Sequence, residues 1–207
     1  MSTTPLPSPV PRLLSPFMES RMRARRFLAL LPLALTACGY NSIQTLDEKA
    51  NAAKQQIEVQ LQRRADLVPN LVEVVRGLAK QELEVFTQVA RARSGLVNAV
   101  QKGDPREMAN ANDQLTTAMR GLMVQVEAYP QIKSDQAFLR LQDELTGTEN
   151  RIAVSRTDFN TSVETYNAYI RKFPQVLTAK VTGAKAKEYF EVTNAGAREA
   201  PKIDLTK

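Results

Sequence analysis

Histidine and tryptophan are absent from this chain, and cysteine occurs once, as Cys38. A single cysteine excludes an internal disulfide framework. Without histidine there is no zinc finger, no Cys/His dyad, no Ser-His-Asp triad and no Glu-x-x-His di-iron bundle. No Gly-rich phosphate loop, nucleophile elbow or metal-ligand spacing is present either. These absences lead us to expect no enzyme, no metal and no cofactor.

Helix breakers are also scarce outside the N-terminus. Of 11 prolines, Pro5, Pro7, Pro9, Pro11 and Pro16 crowd the first sixteen positions, and there are only 8 glycines. What remains is rich in Ala, Gln, Leu, Val and Glu, the composition of long helices. The formal charge of +6 is equally uneven. Residues 1–37 hold Arg12, Arg21, Arg23, Arg25 and Arg26 against Glu19 alone, and the rest of the chain has 23 basic and 21 acidic residues. No basic block survives there, so the electrostatic footprint of a nucleic-acid partner is missing.

From Met22 the chain reads MRARRFLALLPLALTACGYNS. Arg23, Arg25 and Arg26 form a basic n-region, and Phe27–Leu35 is a short apolar run broken by Pro32. The run is about half of the roughly 20 residues a spanning helix needs. Leu35-Thr36-Ala37-Cys38 resembles a bacterial lipobox. That resemblance implies cleavage before Cys38, a diacylglyceryl thioether on its sulfur and acylation of its new amino group. Two or more acyl chains anchor stably, since each buried CH2 adds about 0.8 kcal/mol. The competing reading is an ordinary secretory signal followed by a free cysteine. Gly39, rather than Asp, at the second mature position points to outer-membrane sorting where the source has two membranes.

These signals divide the chain into five parts. Residues 1–21 are a wrongly chosen start or a disordered extension, 22–37 a lipoprotein signal peptide, and 38–41 a lipidated linker. Residues 42–173 form a helical bundle, and 174–207 are a tail that packs on the bundle or trails from it. We expect an all-α, up-and-down antiparallel four-helix bundle with long helices, preceded by the signal segment and followed by an irregular tail.

The first helix is expected from Ser42 to Asp66, with Ile43, Leu46, Ala50, Ala53, Ile57 and Leu61 along one face. Pro69 is expected to end it, because a residue before proline is pushed out of the α region. The second helix would then run to Gln101, folding back on the first about a turn at Leu67–Val68. Gly103-Asp104-Pro105 reads as a C-cap, an N-cap and a first helical residue. A third helix is expected to Ala128, closed by Tyr129-Pro130. The fourth, Asp135 to Lys172, carries a coiled-coil-like seam: Phe138, Leu141, Leu145, Thr148, Ile152, Ser155, Phe159, Ser162, Tyr166, Tyr169 and Phe173. In the tail, Tyr189 and Phe190 are expected to dock on the bundle.

QIEVQLQRRADLVPNLVEVV, VEAYPQIKSDQAFLRLQDELTGTENRIAVSRTDFN, YNAYIRKFPQVLTA and EYFE together resemble the LemA family over nearly all of the mature chain. The resemblance implies a membrane-associated helical bundle facing away from the cytoplasm, and it brings no established biochemical activity. This chain has Lys54 where the family has Trp, and Gln81 where it has His. About a turn at Leu67–Val68, those positions would face each other, with a Lys54–Glu82 ion pair in place of the aromatic contact. The tail departs too, reading KVTGAKAK where the family is rich in aromatics.

Charged residues gather near the expected turn: Arg63, Arg64, Asp66, Asn70 and Glu73. Later helices add Glu127, Glu144, Glu149, Asn150, Arg151 and Arg156. As a set they form a polar pocket for a ligand or partner, or a mutually satisfied network that fixes register; the second is commoner in bundles. The functional expectation is a lipid-anchored, non-enzymatic envelope scaffold or partner-binding module, facing the periplasm or exterior. Its partners would be the membrane, a protein of the envelope and, compatibly, further copies of itself. The alternative is a small-molecule or lipid carrier with a polar pocket around Arg64, Glu73, Glu149 and Arg151.

Overall fold

The computed structural model describes the backbone of residues 16–78 and 83–191, with side chains for 39–77 and 84–191. Residues 1–15, Gln81, Glu82, the side chain of Cys38 and the segment Ala200–Ile203 lie outside the described set, as do the side chains of the signal segment. The chain is all-α: among the described residues there is no strand. The helices are α1 (Pro16–Leu78), α2 (Leu83–Lys102), α3 (Pro105–Val126), α4 (Pro130–Lys133), α5 (Gln136–Arg171) and α6 (Gln175–Thr182).

Helix α1 is the axis, since each of the other five packs against it. Its buried stripe runs Ile43, Ala50, Ile57, Leu61, Ala65, Val68, Leu71 and Val75, spaced three, four or seven apart as one face of a helix requires. This stripe keeps its period straight across Pro69, and the helix continues to Leu78. The expected hairpin at Pro69 is therefore wrong. Proline's fixed φ suits a helix; what it costs is one N–H, roughly 3 kcal/mol with the accompanying ring clash. Here the carbonyl deprived of its donor, that of Ala65, accepts a hydrogen bond from Arg93 Nε of α2 at 2.7 Å. Burial of Val68, Leu71 and Val75 supplies the rest of the compensation.

Helix α1 ends at Leu78 instead, and α2, from Leu83, runs antiparallel to it. Arg93 meets Ala65 near its middle, and Lys54 lies beside Gly103 at its end. Lys54 consequently pairs with Glu58 at 3.5 Å on its own helix. The register centred on Leu67–Val68 does not hold, and Lys54 lies against Gly103; its expected partners Gln81 and Glu82 lie outside the described residues.

The caps of the later helices follow the residues closely. Gly103 adopts φ +69°, the left-handed conformation glycine takes without strain, and closes α2 through its N–H to Ala99 O at 3.1 Å. Asp104 Oδ1 accepts from the N–H groups of Arg106 and Glu107 at 2.9 Å, ahead of Pro105. Asp135 does the same for Ala137 and Phe138 at the head of α5.

Helix α5 lies antiparallel along α1, and among the described residues this pair forms the most extensive helix–helix interface. The heptad seam holds from Phe138 through Leu145, Thr148, Ile152 and Phe159, then drifts. Val163 and Ile170 are buried where Ser162 and Phe173 were expected, and Phe173 is 80% exposed. A helix of 3.6 residues per turn rotates away from a strict 3.5 repeat, by about 20° per heptad. Over 36 residues that drift is enough to change which residues face inward.

Candidate functional site

Arg64 stands on the buried stripe of α1 between Leu61 and Val68 and is only 4% exposed. A guanidinium there demands partners, because an unpaired buried charge is costly. Two come from different helices. Arg64 Nη1 donates to Asn112 Oδ1 of α3 at 2.7 Å, and Nη2 donates to Glu149 Oε1 of α5 at 2.6 Å, an ion pair. Arg64 Nε is buried and has no hydrogen-bond partner among the described residues. Burial lowers the Arg64 pKa from its ordinary value, while the Glu149 carboxylate beside it acts in the opposite direction.

The bridge from Arg64 to Glu149 crosses a groove between α3 and α5. A hollow of about 230 Å3 opens on one side, with Thr116, Arg120, Gln142 and Thr146 in its wall. A second, of about 220 Å3, opens on the other, with Asn112, Arg156 and Phe190. Both are open to solvent. The arrangement locks three helices by charge-assisted hydrogen bonds and leaves Glu149, 48% exposed on its side chain, accessible from outside. Among the described residues no group of three or more acidic or cysteine side chains could hold a metal ion.

Of the expected polar set, the structure brings together Arg64 and Glu149. Arg63, Asp66, Asn70 and Glu73 are exposed along α1, with Asp66 accepting from Gln62 Nε2 within the helix at 2.9 Å. Glu127, exposed, borders a separate hollow with Lys133 and Phe138 near the α3–α4 junction. Glu144, Asn150, Arg151 and Arg156 are exposed on α5, Arg156 at the rim of the second hollow. Sequence reasoning missed Asn112, whose signal was its place between Met108 and Leu115 on the inner face of α3.

It also missed how the tail is held. Asn167 Nδ2 donates to Lys187 O at 2.9 Å and its Oδ1 accepts from Lys187 N at 2.8 Å. Asn160 repeats the pattern on Phe190, at 3.3 and 2.9 Å. Seven residues of helix rise about 10.5 Å and three extended residues span about 10 Å. The two asparagines therefore match the tail's own repeat. Lys187 Nζ reaches Asp47 at 3.0 Å and Asn51 at 2.8 Å on α1, and lies 5.4 Å from the centre of the Tyr166 ring. Phe190 is buried at the end of this path.

The profile of the LemA family matches residues 53–205. Magnetosome protein MamQ of Magnetospirillum gryphiswaldense is 31% identical over 88% of this chain and 78% of its own. Magnetosome protein MamQ 2 of Paramagnetospirillum magneticum is 31% identical over 76% of this chain and 66% of its own. Protein LemA of Metamycoplasma hominis is 26% identical over 64% of this chain and 57% of its own.

Proposed function

Taking as premise that the chain belongs to the LemA family, we propose that it is a lipid-anchored helical bundle that serves as a non-enzymatic envelope scaffold or partner-binding module. The tether is Cys38, exposed by removal of the segment 22–37, and the mature chain faces the periplasm or exterior. In a source with two membranes it resides at the outer one. Its four long helices act as one up-and-down bundle.

The observation that carries this reading is the continuity of α1. The helix passes unbroken from Cys38 to Leu78, and α2 to α6 all pack on it. A tether at Cys38 therefore sets the position of the whole body relative to the membrane. Confinement to a surface raises the effective concentration of the bundle for envelope partners. Among the described residues no helix is long and apolar enough to cross a membrane. Arg64 and Glu149, the charged pair that spans the α3–α5 groove, hold helices together, which supports a structural rather than a chemical role for that pair.

The alternative, a small-molecule or lipid carrier around Arg64, Glu73, Glu149 and Arg151, has less in its favour. The hollows flanking Arg64 and Glu149 are lined by neither Glu73 nor Arg151. Radiolabelled palmitate tests the tether: incorporation into the native chain and not into Cys38→Ser is expected, and equal incorporation in both would overturn it. Crosslinking in intact cells then identifies envelope partners. Recovery of the protein free in the cytosol, with no envelope crosslink, would reject the scaffold reading.

A further inference from the structure

Among the described residues, half of the large apolar side chains left exposed gather at one end of the bundle. Phe173, Leu177 and Val181 are 80%, 53% and 86% exposed, and Tyr40 is exposed at the start of the described side chains of α1. The others, such as Val59 and Val124, are dispersed along the helices and need no special account. Helix α6 presents two faces. Thr178 and Ala179 turn inward, the latter onto Ile43, Tyr166 and Ile170. Leu177 and Val181, one turn apart, face out, with Phe173 just ahead of the helix.

The position of this end is fixed by Gly39, whose missing side chain lets α1 approach Thr178 closely; a Cβ there would lie 3.3 Å from Thr178 Oγ1. Helix α6 thus packs against the residue that follows Cys38. Its charge is one-sided as well. From Thr165 to Lys187 there is no acidic residue, while Arg171, Lys172, Lys180 and Lys185 are all exposed.

We infer that the α6 end of the bundle is a second membrane contact: Phe173, Leu177 and Val181 enter the interfacial layer of an anionic phospholipid bilayer, and the flanking cations bind its headgroups. Apolar residues beside exposed Lys and Arg suit a helix lying in the interface plane, and basic groups close to such a surface are attracted to anionic lipid. A second copy of the chain fits poorly, because a two-fold contact would set this cationic rim against itself. The inference places the end that carries the proposed tether against the lipid, but it does not depend on acylation.

The test uses the full chain in a Cys38→Ser background, so that no acyl group contributes. The apolar run at Phe27–Leu35 can itself bring the chain to vesicles, so a local probe is required. An environment-sensitive fluorophore is placed at Val181→Cys or, as a control, at Asp143→Cys. Asp143 is exposed and about 40 Å along α5 from Ile170. With phosphatidylcholine vesicles containing phosphatidylglycerol, the probe at 181 is expected to shift to the blue and to be quenched by spin-labelled lipid, while the probe at 143 stays aqueous. Lys172→Gln, Lys180→Gln and Lys185→Gln together are expected to weaken the response at 181 by about tenfold or more in lipid concentration. An aqueous spectrum at 181 would overturn the inference, as would a shift that appears without lipid and grows with protein concentration, the signature of a second copy. Palmitate labelling of the native chain is read separately, so loss of the tether and loss of this contact are distinguishable.

Discussion

Arg93 Nε donates to the carbonyl oxygen of Ala65 at 2.7 Å, the one acceptor in α1 that Pro69 leaves without its helical donor. The proline and the arginine lie on different helices, and each explains the other. The bond also pins α2 to the middle of α1, so one local defect becomes a tertiary contact.

This coupling is measurable. Arg93→Ala is expected to destabilise the chain by about 1–3 kcal/mol, because the Ala65 carbonyl then lacks a partner. Pro69→Ala restores an N–H at the i+4 position, so Arg93→Ala in that background should cost about 1 kcal/mol less. Urea unfolding of the four-member cycle reads the difference. A coupling energy of zero would mean that Arg93 does not stand in for the missing donor.

The bridge from Arg64 to Asn112 and Glu149 predicts asymmetric costs. Glu149→Ala strands a buried guanidinium, but Glu149 is half exposed and water can enter, so a loss of about 1–2 kcal/mol is expected. Arg64→Ala removes the charge and leaves a void on the inner face, at about 3 kcal/mol. Arg64→Met keeps the volume without the charge and should be the mildest of the three. Chemical denaturation ranks them; an Arg64→Met variant as unstable as Arg64→Ala would show that the lost ion pair and hydrogen bonds, not the packing, dominate.

The asparagine pair makes the tail a separable element. Asn167→Ala or Asn160→Ala removes both hydrogen bonds to one tail residue, at about 1–2 kcal/mol each. Hydrogen exchange at Lys187 and Phe190 should accelerate by about five- to thirtyfold while the core of α1 stays protected. Asp at either position keeps the acceptor and loses the donor, and is expected to fall between. Unchanged exchange at both amides would mean that Phe190 alone holds the tail.

Much of this fold could be read along the chain because its signals are local. Asp104-Pro105 and Asp135 cap helices through side chains two or three residues away, and both positions are legible from residue type alone. Pro69 misled because its effect depends on Arg93, on another helix, and no local rule contains that bond. The apolar period that runs unbroken from Ala65 through Val68 to Leu71 and Val75 was the better guide, since burial outweighs one lost hydrogen bond. The same contrast holds at the candidate site. Arg64 stood out as a charge on an apolar stripe, but choosing Glu149 and Asn112 from a dozen polar residues required the helix register. Asn160 and Asn167 were spaced two turns apart in plain view; their role depends on an extended segment whose path leaves no periodic mark.

Tyr166 supplies a pH dependence whose sign can be derived. Its ring is buried against Ile43 and Ile170, and burial, with Asp47 nearby, raises its pKa above the ordinary 10.0. In the unfolded chain the phenol ionises near its ordinary value, while in the folded chain it stays protonated to higher pH. Below about pH 10 the two states carry the same proton and Tyr166 adds no pH dependence. As pH climbs past that point the unfolded state alone gains from ionisation, so stability falls until the folded phenol titrates as well. Urea midpoints of the native chain should therefore decline as pH rises above about 10, and Tyr166→Phe should flatten the decline. Because the other tyrosines are present in both proteins, the difference between the two curves isolates Tyr166. Parallel curves would mean that its ring is hydrated in solution, and that the packing of α6 and the tail over this end of α1 is looser than the hydrogen bonds of Asn167 and Lys187 require.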